Sequence, residues 1–494
     1  MEFLIIFLSL AFLGSILCLF HELVVKPMKL RARLSEQGIK GPSPTLLFEN
    51  IREIKKAQSV VVRDPSPSST HNYVALLFHF LQKWRKQYGE VFMFSLGNTQ
   101  ILFANQPDAV KEITTCTSLA LGKPSYQQKE FGTLLGQGIL TSNGALWAHQ
   151  RKILAPELYM DKVKGMMDHI FESTFTVLES WNTQIEAEEG LADIKIDEYM
   201  RSFSEDVISR ACFGSNYCKG EEILLKQSLS TGVPGMRYLP TKGNREDWAL
   251  EKDIRDLILQ VVKDRKMAAY EEDLLQMLVE GAKISYLSQE ATERFVIDNC
   301  KNIYLAGYET TVVSATWCLM LLAANQEWQH IIRKGVLEIS RGRTLDANML
   351  RKMKQIMELI SESLFCVMQL TLVIQESLED MKFGEILVPK GVNIWFLVLA
   401  LHTDLELWGK EAYTFDPNRF AKGIAGACKL PQVPFGVGPR MCLGQNLALV
   451  ELKLVIALLL SNFSFSLSPN YSPSPVLRLV TEPENGVHLL VKKL

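Results

Sequence analysis

One cysteine has neighbours that could make it a metal ligand. Cys442 lies in PFGVGPRMCLGQNL, residues 434–447, where a loop with three glycines runs into an apolar helix. The start of a helix stabilises a thiolate, because its backbone N–H groups are unpaired and the helix dipole is positive there. The thiolate is also the form of cysteine that binds metals. The pattern therefore predicts that Cys442 binds a metal, with a buried structural cysteine as the alternative.

The residues around this cysteine fit a flat cofactor that contains the metal. Gly436 and Gly438 allow a tight loop, and Gly444 has no side chain to keep a planar group away from the helix. Arg440 offers a fork of donors that suits a cofactor carboxylate. No second cysteine or histidine lies nearby in the sequence to complete a zinc site. A single thiolate points to a metal whose other positions are already filled, as in haem.

A polar pair interrupts the apolar helix that the sequence predicts over about residues 296–324. Glu309 and Thr310 stand in AGYETT, residues 306–311. A threonine inside a helix bonds back to a carbonyl one turn earlier and can open the helix locally, which Gly307 makes easier. Either the pair moves protons in a buried site, or the glutamate is solvated and the threonine only bends the helix.

The elements that must position these residues are mostly helices. Apolar residues recur at three- and four-residue spacing in residues 71–89, 162–181 and 248–266. Text typical of strands is short and scattered, as in EVFMFSLG, QILFAN, GVNIWFLV, FSFSLSP and GVHLLVKK. No repeat of solenoid period divides the globular part. The sequence predicts a mainly α fold with a small β part.

The composition limits the class of protein. The chain has 494 residues, of which 47% are apolar and 22% charged, so it can bury a sizeable core. A net charge of -2 without long blocks of like charge argues against a nucleic-acid partner. The nine cysteines include no CxxC and no regular spacing. A disulfide scaffold is therefore not expected, and a reducing compartment fits better.

The first residues form an apolar stretch that is long enough to cross a bilayer. Residues 3–20 carry no charge, and three apolar residues follow His21 and Glu22. A cleaved secretory signal is the alternative, but such signals begin with basic residues and have a shorter apolar core. We interpret residues 1–25 as a retained transmembrane anchor.

Basic residues follow the anchor and set its orientation. Lys26, Lys29, Arg31, Arg33 and Lys40 come directly after it. Because positive charge stays on the cytosolic side of a membrane, the body of the protein is expected to face the cytosol. The prolines and glycine of KGPSP favour a stiff, extended turn. Residues 26–48 are thus interpreted as a basic and proline-rich hinge, and residues 49–494 as the catalytic domain.

The cysteine loop resembles the haem-binding signature of the cytochromes P450. In this sequence the signature fixes Phe435, Gly436, Gly438, Arg440, Cys442 and Gly444 together. The resemblance covers nearly the whole chain and implies the cytochrome P450 fold behind an N-terminal transmembrane helix. It also implies haem b as cofactor, bound by the loop with Cys442 as the iron ligand.

The resemblance assigns roles to two further pairs of residues. Glu309 and Thr310 would relay protons to bound dioxygen. Trp147 and Arg151 lie four residues apart in WAHQR, on one face of a predicted helix, and resemble the pair that holds a haem propionate. Phe131, Leu134 and Leu135 are hypotheses for walls of the substrate pocket.

One family motif is altered in this chain. Arg419 in FDPNRF resembles the arginine that bonds to a glutamate and an arginine of an earlier Glu-x-x-Arg helix. Residues 373–391, VIQESLEDMKFGEILVPKG, supply Glu376 but place Glu379 where the arginine should stand. We predict a Glu376–Arg419 pair without its third member. Removing one partner of a buried network costs about 3–5 kcal/mol, so the cysteine loop should lose support.

The sequence beside this motif also departs from the family pattern. We predict that the segment that normally follows the motif and runs along the pocket is missing, because the chain moves almost directly from QESL to EDMKFG. Residues 356–369 look like extra sequence and carry their own ESL at 362–364, followed by Phe365. Neither copy supplies an arginine. The pattern is typical of a splice form or gene model that joins its segments differently.

The function implied by the resemblance is a monooxygenase that inserts one oxygen atom of dioxygen into an apolar small molecule. Its electrons would come from a separate NADPH-dependent flavoprotein reductase, since no GxGxxG follows a strand here. The expected location is the endoplasmic reticulum membrane, as a single-pass protein. The text of NCKNIYLAGYETT and of the cysteine loop resembles a plant group that includes oxidases of gibberellins and related diterpenoids.

Three other functions compete with this interpretation. The altered motif favours an inactive or haem-poor membrane-tethered remnant of the fold. An isomerase or lyase of the same fold would need no reductase, but such relatives usually lack the relay threonine. A cysteine hydrolase would need a histidine base, and none stands near Cys442 in the sequence.

Overall fold

The fold is mainly α with a small β part, as the sequence predicts. The computed structural model describes residues 2–44, 50–59, 73–130, 132–214, 240–267, 273–284, 288–366, 372–427 and 435–494. In the first half the described helices are α1 (Glu2–Phe20), α2 (Lys26–Ser35), α3 (Ile51–Ser59), α4 (Tyr73–Leu77), α5 (His79–Tyr88), α6 (Pro107–Thr115), α7 (Ser125–Glu130), α8 (Gly132–Leu135), α9 (Gly144–Leu154), α10 (Met160–Gly165), α11 (Met167–Ala187) and α12 (Ile196–Phe213).

The second half contains the longest helix and the helix that follows the cysteine. Its described helices are α13 (Lys242–Met267), α14 (Leu274–Ile284), α15 (Gln289–Ala324), α16 (Gln326–Ser340), α17 (Ala347–Lys352), α18 (Lys354–Cys366), α19 (Val398–His402), α20 (Leu405–Trp408), α21 (Ile424–Ala427) and α22 (Gln445–Asn462). Short 3-10 helices lie at Ala155–Leu158, Lys410–Tyr413 and Pro417–Phe420.

The strands form two sheets and two hairpins. They are β1 (Val91–Leu96), β2 (Thr99–Ala104), β3 (Leu121–Gly122), β4 (Ala192–Lys195), β5 (Leu372–Ser377), β6 (Met381–Phe383), β7 (Ile386–Val388), β8 (Asn393–Leu397), β9 (Phe463–Leu467), β10 (Pro475–Leu477), β11 (Thr481–Pro483) and β12 (His488–Lys493). The larger sheet has the order β1-β2-β8-β5-β3, the smaller one β4-β12-β9, and β6-β7 and β10-β11 are hairpins. All five predicted strand segments are confirmed.

The long helix α15 is the axis of the larger core. Its 36 residues span about 54 Å at 1.5 Å per residue. It packs against α12, α14, α18 and α22, and most of its residues beyond Arg294 are buried. Helix α12 approaches closely at Gly307, where an added Cβ would lie 2.5 Å from Cδ1 of Ile208. Gly307 therefore serves the packing of two helices, and the helix continues through it without a break.

A second core lies around the larger sheet. Strands β1 and β2 form a hairpin whose turn is Gly97 and Asn98, and Gly97 has the positive φ that such turns require. The rings of Phe92 and Phe103 stack across this hairpin with centroids 4.7 Å apart. Trp84 of α5 packs edge-on against Phe92. These contacts fix α5 on the sheet.

The N-terminal helix is continuous and docks by its second part. Three stretches of the described residues are long and apolar enough to span a membrane, and α15 and α22 are largely buried in the protein. The third, Phe3–Ser35, has a mean hydropathy of 2.8 and is exposed throughout its apolar part. The predicted hinge begins as helix α2, which follows a π-helical turn at His21–Val25.

Helix α2 and the turn after it are attached to the globular part by buried apolar side chains and by polar contacts. Leu34 is fully buried. Arg33 Nη2 lies 2.7 Å from Oδ2 of Asp380, and the side chain of Gln37 bonds to both backbone groups of Leu387. The chain end that leaves the apolar stretch is therefore attached to the β6–β7 hairpin.

The structure corrects the interpretation of the two ESL copies. The first copy, which looks like extra sequence, lies in α18 and is part of the larger core, because Ile356, Leu359 and Ile360 repeat at helical spacing and are buried. The second copy, at Glu376–Leu378, ends strand β5, which pairs with β8 and β3. The β-branched residues that precede it favour a strand.

Candidate functional site

The loop before α22 is as tight as its glycines predict. Gly436 and Gly438 have φ values of 74° and 75°. The Cys442 N–H donates to the carbonyl of Phe435 at 2.8 Å. An added Cβ at Gly438 would lie 2.2 Å from the backbone oxygen of Thr114, so only glycine fits there. Cys442 is thus held by the backbone, three residues before α22 begins.

The surroundings of the Cys442 thiol act on its pKa in opposite directions. Burial raises the pKa above its ordinary value, while the backbone N–H of Gly444 and the positive charge of Arg151 lower it. Protein atoms surround the thiol, although the residue as a whole is accessible to solvent. The predicted stabilisation of the thiolate by the helix start is present, but burial outweighs it. A positive metal centre is the partner that would reverse this balance.

Three cations converge beside the cysteine loop. Arg440 lies over the ring of Trp147, with its Cζ 4.3 Å from the ring centroid, and donates to Oδ1 of Asn143 at 3.0 Å. Arg151 lies on the same helix as Trp147, and its Cζ is 5.9 Å from that centroid. Lys123 is joined to Asn143 through its backbone. The structure therefore brings together the predicted residues Trp147, Arg151 and Arg440.

These cations lack a negative partner within the part of the chain that the structure describes. No carboxylate there lies within salt-bridge distance of Lys123, Arg151 or Arg440. Burial and the neighbouring Arg151 lower the pKa of Arg440 to about 10. Burial and Arg440 lower the pKa of Lys123 to about 8. Clustered cations of this kind fit an anionic group, and haem has two carboxylates. The residues present therefore fit haem.

The predicted relay pair lies in the middle of α15. The Thr310 hydroxyl donates to the carbonyl of Ala306 at 2.7 Å, which is the bond that the sequence predicts. Thr310 is half-buried, and its own carbonyl accepts a hydrogen bond from Ser314 at 2.9 Å. The position of the hydroxyl is thus fixed by its own helix.

Glu309 belongs to a network of charges that joins three elements. Arg201 of α12 lies 3.8 Å from Oε1 of Glu309 and 3.2 Å from Oε2 of Glu482, which stands on β11. Arg478 lies 2.7 Å from the other oxygen of Glu482. Burial raises the pKa of Glu309, Arg201 lowers it and Glu482 raises it. A carboxyl group with a raised pKa is suited to proton transfer near neutral pH.

A buried acid connects α22, the helix that follows Cys442, to α15. Oε2 of Glu451 on α22 accepts a hydrogen bond from the hydroxyl of Thr311 at 2.8 Å, and both residues are buried. Burial raises the pKa of Glu451 from 4.5 to about 7, against the hydrogen bond from Thr311. Thr311 is next to Thr310, so this contact fixes α15 at the predicted relay residue.

The glutamate that pairs with Arg419 is Glu362, and the predicted pairing with Glu376 is wrong. Arg419 Nε lies 3.1 Å from Oε2 of Glu362, whose side chain is fully buried. Oε1 of Glu362 also accepts from the backbone N–H of Asp416 at 2.8 Å. Glu376 instead accepts from the backbone N–H of Ser125, and Glu379 is exposed. Strand β5 points Glu376 elsewhere because it has strand and not helix geometry.

An aromatic ring stands where the family motif has its arginine. Phe365 is three residues after Glu362, and Cζ of Arg419 lies 4.7 Å from its ring centroid. The ring of Trp408 is 5.8 Å from the same atom. A guanidinium over aromatic faces gains about 2 kcal/mol when it is desolvated. Two rings therefore stabilise Arg419 from sides where it has no charged partner.

The missing third charge has a consequence for Glu362. Burial raises the pKa of Glu362 to about 7, although Arg419 and the Asp416 N–H lower it. Two carbonyls, of Glu411 and Thr414, accept hydrogen bonds from Nη2 of Arg419 at 2.9 and 2.8 Å. The network thus holds the 405–420 segment on α18 with a single ion pair.

The sequence points to some of these residues and not to others. Glu362 stands in the first ESL copy, and the helical spacing before it was the available indication. Nothing in the local text indicates Arg201, Glu451 or Lys123, whose partners are distant in the chain. Phe131 and the side chain of Leu134 lie outside the described residues, and Leu135 is buried.

Comparison with known proteins identifies the family. The family model of cytochrome P450 matches residues 71–490. The chain is similar to cytochrome P450 714C2 of Oryza sativa subsp. japonica, with 48% identity over 491 residues, 95% of this chain and 94% of the relative. It is also similar to cytochrome P450 714A2 of Arabidopsis thaliana, with 39% identity over 494 residues, 95% of this chain and 94% of the relative.

A third relative matches almost the whole chain. Cytochrome P450 714C3 of Oryza sativa subsp. japonica is 43% identical over 508 residues, covering 99% of this chain and 98% of the relative. The aligned length exceeds the 494 residues of this chain. That relative therefore has residues without a counterpart in this chain.

The contact between Phe365 and Arg419 predicts a loss of stability on removal of the ring. Phe365→Leu should lower the free energy of unfolding by about 2–4 kcal/mol, because a cation–π contact is lost and a cavity is left. Phe365→Tyr keeps the ring face and should lose less. Urea unfolding of the variants measures the difference. Glu379→Arg is the control and should change stability by less than about 0.5 kcal/mol, since Glu379 is exposed. Stabilisation by Glu379→Arg would contradict this, because it would show that the arginine of the family motif belongs at position 379 and not at position 365.

The buried carboxyl of Glu451 predicts a dependence of stability on pH. Its pKa is 4.5 when exposed and about 7 in the fold, so the folded state binds the proton more tightly. Stability is therefore greatest below about pH 4.5 for this group and falls as pH rises to 7, by up to about 3 kcal/mol. Glu451→Gln keeps an acceptor for Thr311 and should flatten this slope in urea unfolding between pH 5 and 8. The exposed control Glu290→Gln should keep the slope of the parent. The same slope in Glu451→Gln would contradict the prediction.

Proposed function

The chain belongs to the cytochrome P450 family of haem b monooxygenases, and from this premise we propose that it hydroxylates an apolar diterpenoid of the gibberellin type. The observation that supports haem chemistry best is the tight Cys442 loop beside Lys123, Arg151 and Arg440, which lack a carboxylate partner among the described residues. The substrate class rests on the resemblance of residues 299–311 and of the cysteine loop to the plant group.

Each residue of the site has a proposed task. Cys442 would bind the iron, and Arg440, Arg151 and Lys123 would bind the carboxylates of haem. Phe435, Gly436, Gly438 and Gly444 shape the loop that places the sulfur. When bound, haem supplies the redox centre at which dioxygen is activated, and the thiolate favours cleavage of the O–O bond.

Two residues of α15 would deliver the protons that the reaction needs. We assign the hydroxyl of Thr310 to hold a proton at the reacting face and the carboxyl of Glu309 to supply it. The pKa of Glu309, raised by burial, supports this assignment, because a group that gives and regains a proton works best with a pKa near the ambient pH. Arg201 keeps the carboxyl in place from the side of α12.

The membrane setting follows from the first helix. The 33 residues of Phe3–Ser35 span about 50 Å, more than the 30 Å of a hydrocarbon core, so the apolar part would cross the bilayer and α2 would stand outside it. We propose a single-pass protein of the endoplasmic reticulum with its catalytic domain in the cytosol. There an NADPH-dependent flavoprotein reductase in the same membrane would supply the electrons.

We propose the same three parts of the chain as before, with a helix at the start of the connecting part. Residues 1–25 would be the anchor, and residues 26–48 would connect it to the catalytic domain at 49–494. The connecting part starts as helix α2, and Gly38 follows with a positive φ of 80°. Beyond this glycine the described residues still pack on the protein, since Ile39 is buried and the carbonyl of Lys40 accepts a hydrogen bond from the N–H of Met93 at 2.9 Å.

The iron ligand predicts the optical spectrum of the protein. The full chain, reduced in the presence of carbon monoxide, should show the red-shifted Soret band of thiolate ligation, and Cys442→Ser should lose it. Cys116→Ser, which changes a partly buried cysteine elsewhere, is the control and should keep the band. A Cys442→Ser protein with the parent spectrum would contradict the site. Absence of haem absorbance from the parent would support the remnant of the fold.

The relay predicts a defect in the use of reducing equivalents. Thr310→Ala should lower product formation by about 10²-fold while NADPH oxidation continues, with hydrogen peroxide in place of product. Thr310→Ser keeps the hydroxyl and should retain most of the coupling. Product, NADPH and peroxide are measured with a gibberellin as substrate and added reductase. Equal coupling in both variants would exclude the relay, and turnover of an organic peroxide without NADPH would indicate an isomerase or lyase.

A further inference from the structure

The loop between α8 and α9 is bound to α15 by a row of amide and carboxylate side chains. Three of its backbone N–H groups donate to side chains that lie on one side of α15, within five residues. The bonds join Gln137 to Asp298 at 2.8 Å, Ile139 to Asn299 at 3.0 Å and Leu140 to Asn302 at 2.8 Å. The other end of the Asn302 amide donates to the carbonyl of Leu135 at 2.6 Å. Side chains of α15 thus satisfy backbone groups of a loop that has no regular secondary structure.

The contact is so close that it requires glycine. Gly136 has a φ of +56°, and an added Cβ would lie 2.1 Å from Oδ1 of Asp298. An added Cβ at Gly138 would lie 2.5 Å from the amide carbon of Asn302. The loop and the helix are therefore shaped to each other, and the row of side chains is not an incidental surface contact.

A buried lysine extends this row to a second helix. Lys301 is 2% exposed, and its Nζ lies 3.4 Å from Oδ1 of Asp298 and 3.8 Å from Oε1 of Glu251. Glu251 belongs to α13, which also contacts α8. A buried ammonium beside two carboxylates makes the position of Asp298 depend on where α13 lies.

The same loop leads to the cations beside the cysteine. Its last residues, Ser142 and Asn143, accept hydrogen bonds from Arg440 at 3.4 and 3.0 Å. Gln150 of α9 accepts from the Ser142 hydroxyl at 2.7 Å and donates to the carbonyl of Gln137 at 2.8 Å. The backbone between α8 and α9 is thus fixed at one end by α15 and at the other by the haem-carboxylate cations.

We propose that Asp298, Lys301 and Asn302 are positioning residues that set the substrate selectivity of the site by holding the 136–143 loop, with Glu251 linking that loop to α13. The proposal rests on the proposed function, since it takes the loop to be a wall of a haem pocket. The three residues act through the loop backbone and not by contact with substrate.

The first measurement needs neither haem nor substrate. Asp298→Ala removes the acceptor of Gln137 and the neighbour of Lys301, so amide hydrogen exchange of Gln137, Ile139 and Leu140 in the full chain should rise roughly 10- to 100-fold. Asp298→Asn keeps an acceptor oxygen and should raise exchange at Gln137 less. Glu290→Gln, on the exposed first turn of α15, is the control and should leave the exchange rates unchanged.

The second measurement reads selectivity in the haem-loaded protein. Asp298→Ala and Lys301→Met should weaken binding of 4-phenylimidazole, followed by the shift of the Soret band, at least about fivefold and should change the product distribution from a gibberellin. Glu290→Gln should do neither.

The outcomes separate this inference from the proposed function. Faster exchange together with weaker binding and a changed product distribution supports the positioning role. Unchanged exchange would show that Asp298 does not hold the 136–143 loop, which overturns the proposal. Faster exchange with unchanged binding and products would overturn the role of the loop contacts in selectivity. A parent without haem overturns the proposed function and with it the pocket assignment of the loop.

Discussion

The placement of the segment before the cysteine loop depends on the ion pair between Glu362 and Arg419. This pair connects a core helix, α18, to the 405–420 segment that precedes the cysteine loop, and the carboxylate is completely buried. Burying two charges costs several kcal/mol per ion unless hydrogen bonds satisfy them. Here the N–H of Asp416, two backbone carbonyls and the faces of Phe365 and Trp408 fill the places around the pair.

Helix α15 connects several other parts of the protein, as the ion pair connects α18 to the 405–420 segment. Its successive faces bind different parts of the protein: Asp298 and Asn302 hold a loop, Glu309 meets Arg201, and Thr311 meets Glu451. A helix of this length keeps these contacts at fixed spacing, because each residue adds 1.5 Å along one axis. Thr310, the 136–143 loop and α22 are therefore held at fixed positions relative to one another by this helix.

The parts of the fold that the sequence predicts are those with a local cause. The cysteine loop depends on glycines within a few residues, and the Thr310 bond reaches only one turn back. The ion pair of Arg419 could not be assigned in this way, since two ESL copies offer the same letters and the partner is 57 residues away. What separates the copies is their flanks, a helical apolar repeat before Glu362 and β-branched residues before Glu376. Arg201 and Glu451 meet their partners across distances of the same kind, and no short motif indicates such contacts.

The cluster of Lys123, Arg151 and Arg440 has a consequence for the stability of the chain. Mutual repulsion among these half-buried cations opposes folding, and an anionic ligand that binds only the folded chain would remove it. Folding and cofactor capture would then be one coupled equilibrium. A chain without its anionic cofactor would then unfold more readily than the loaded one.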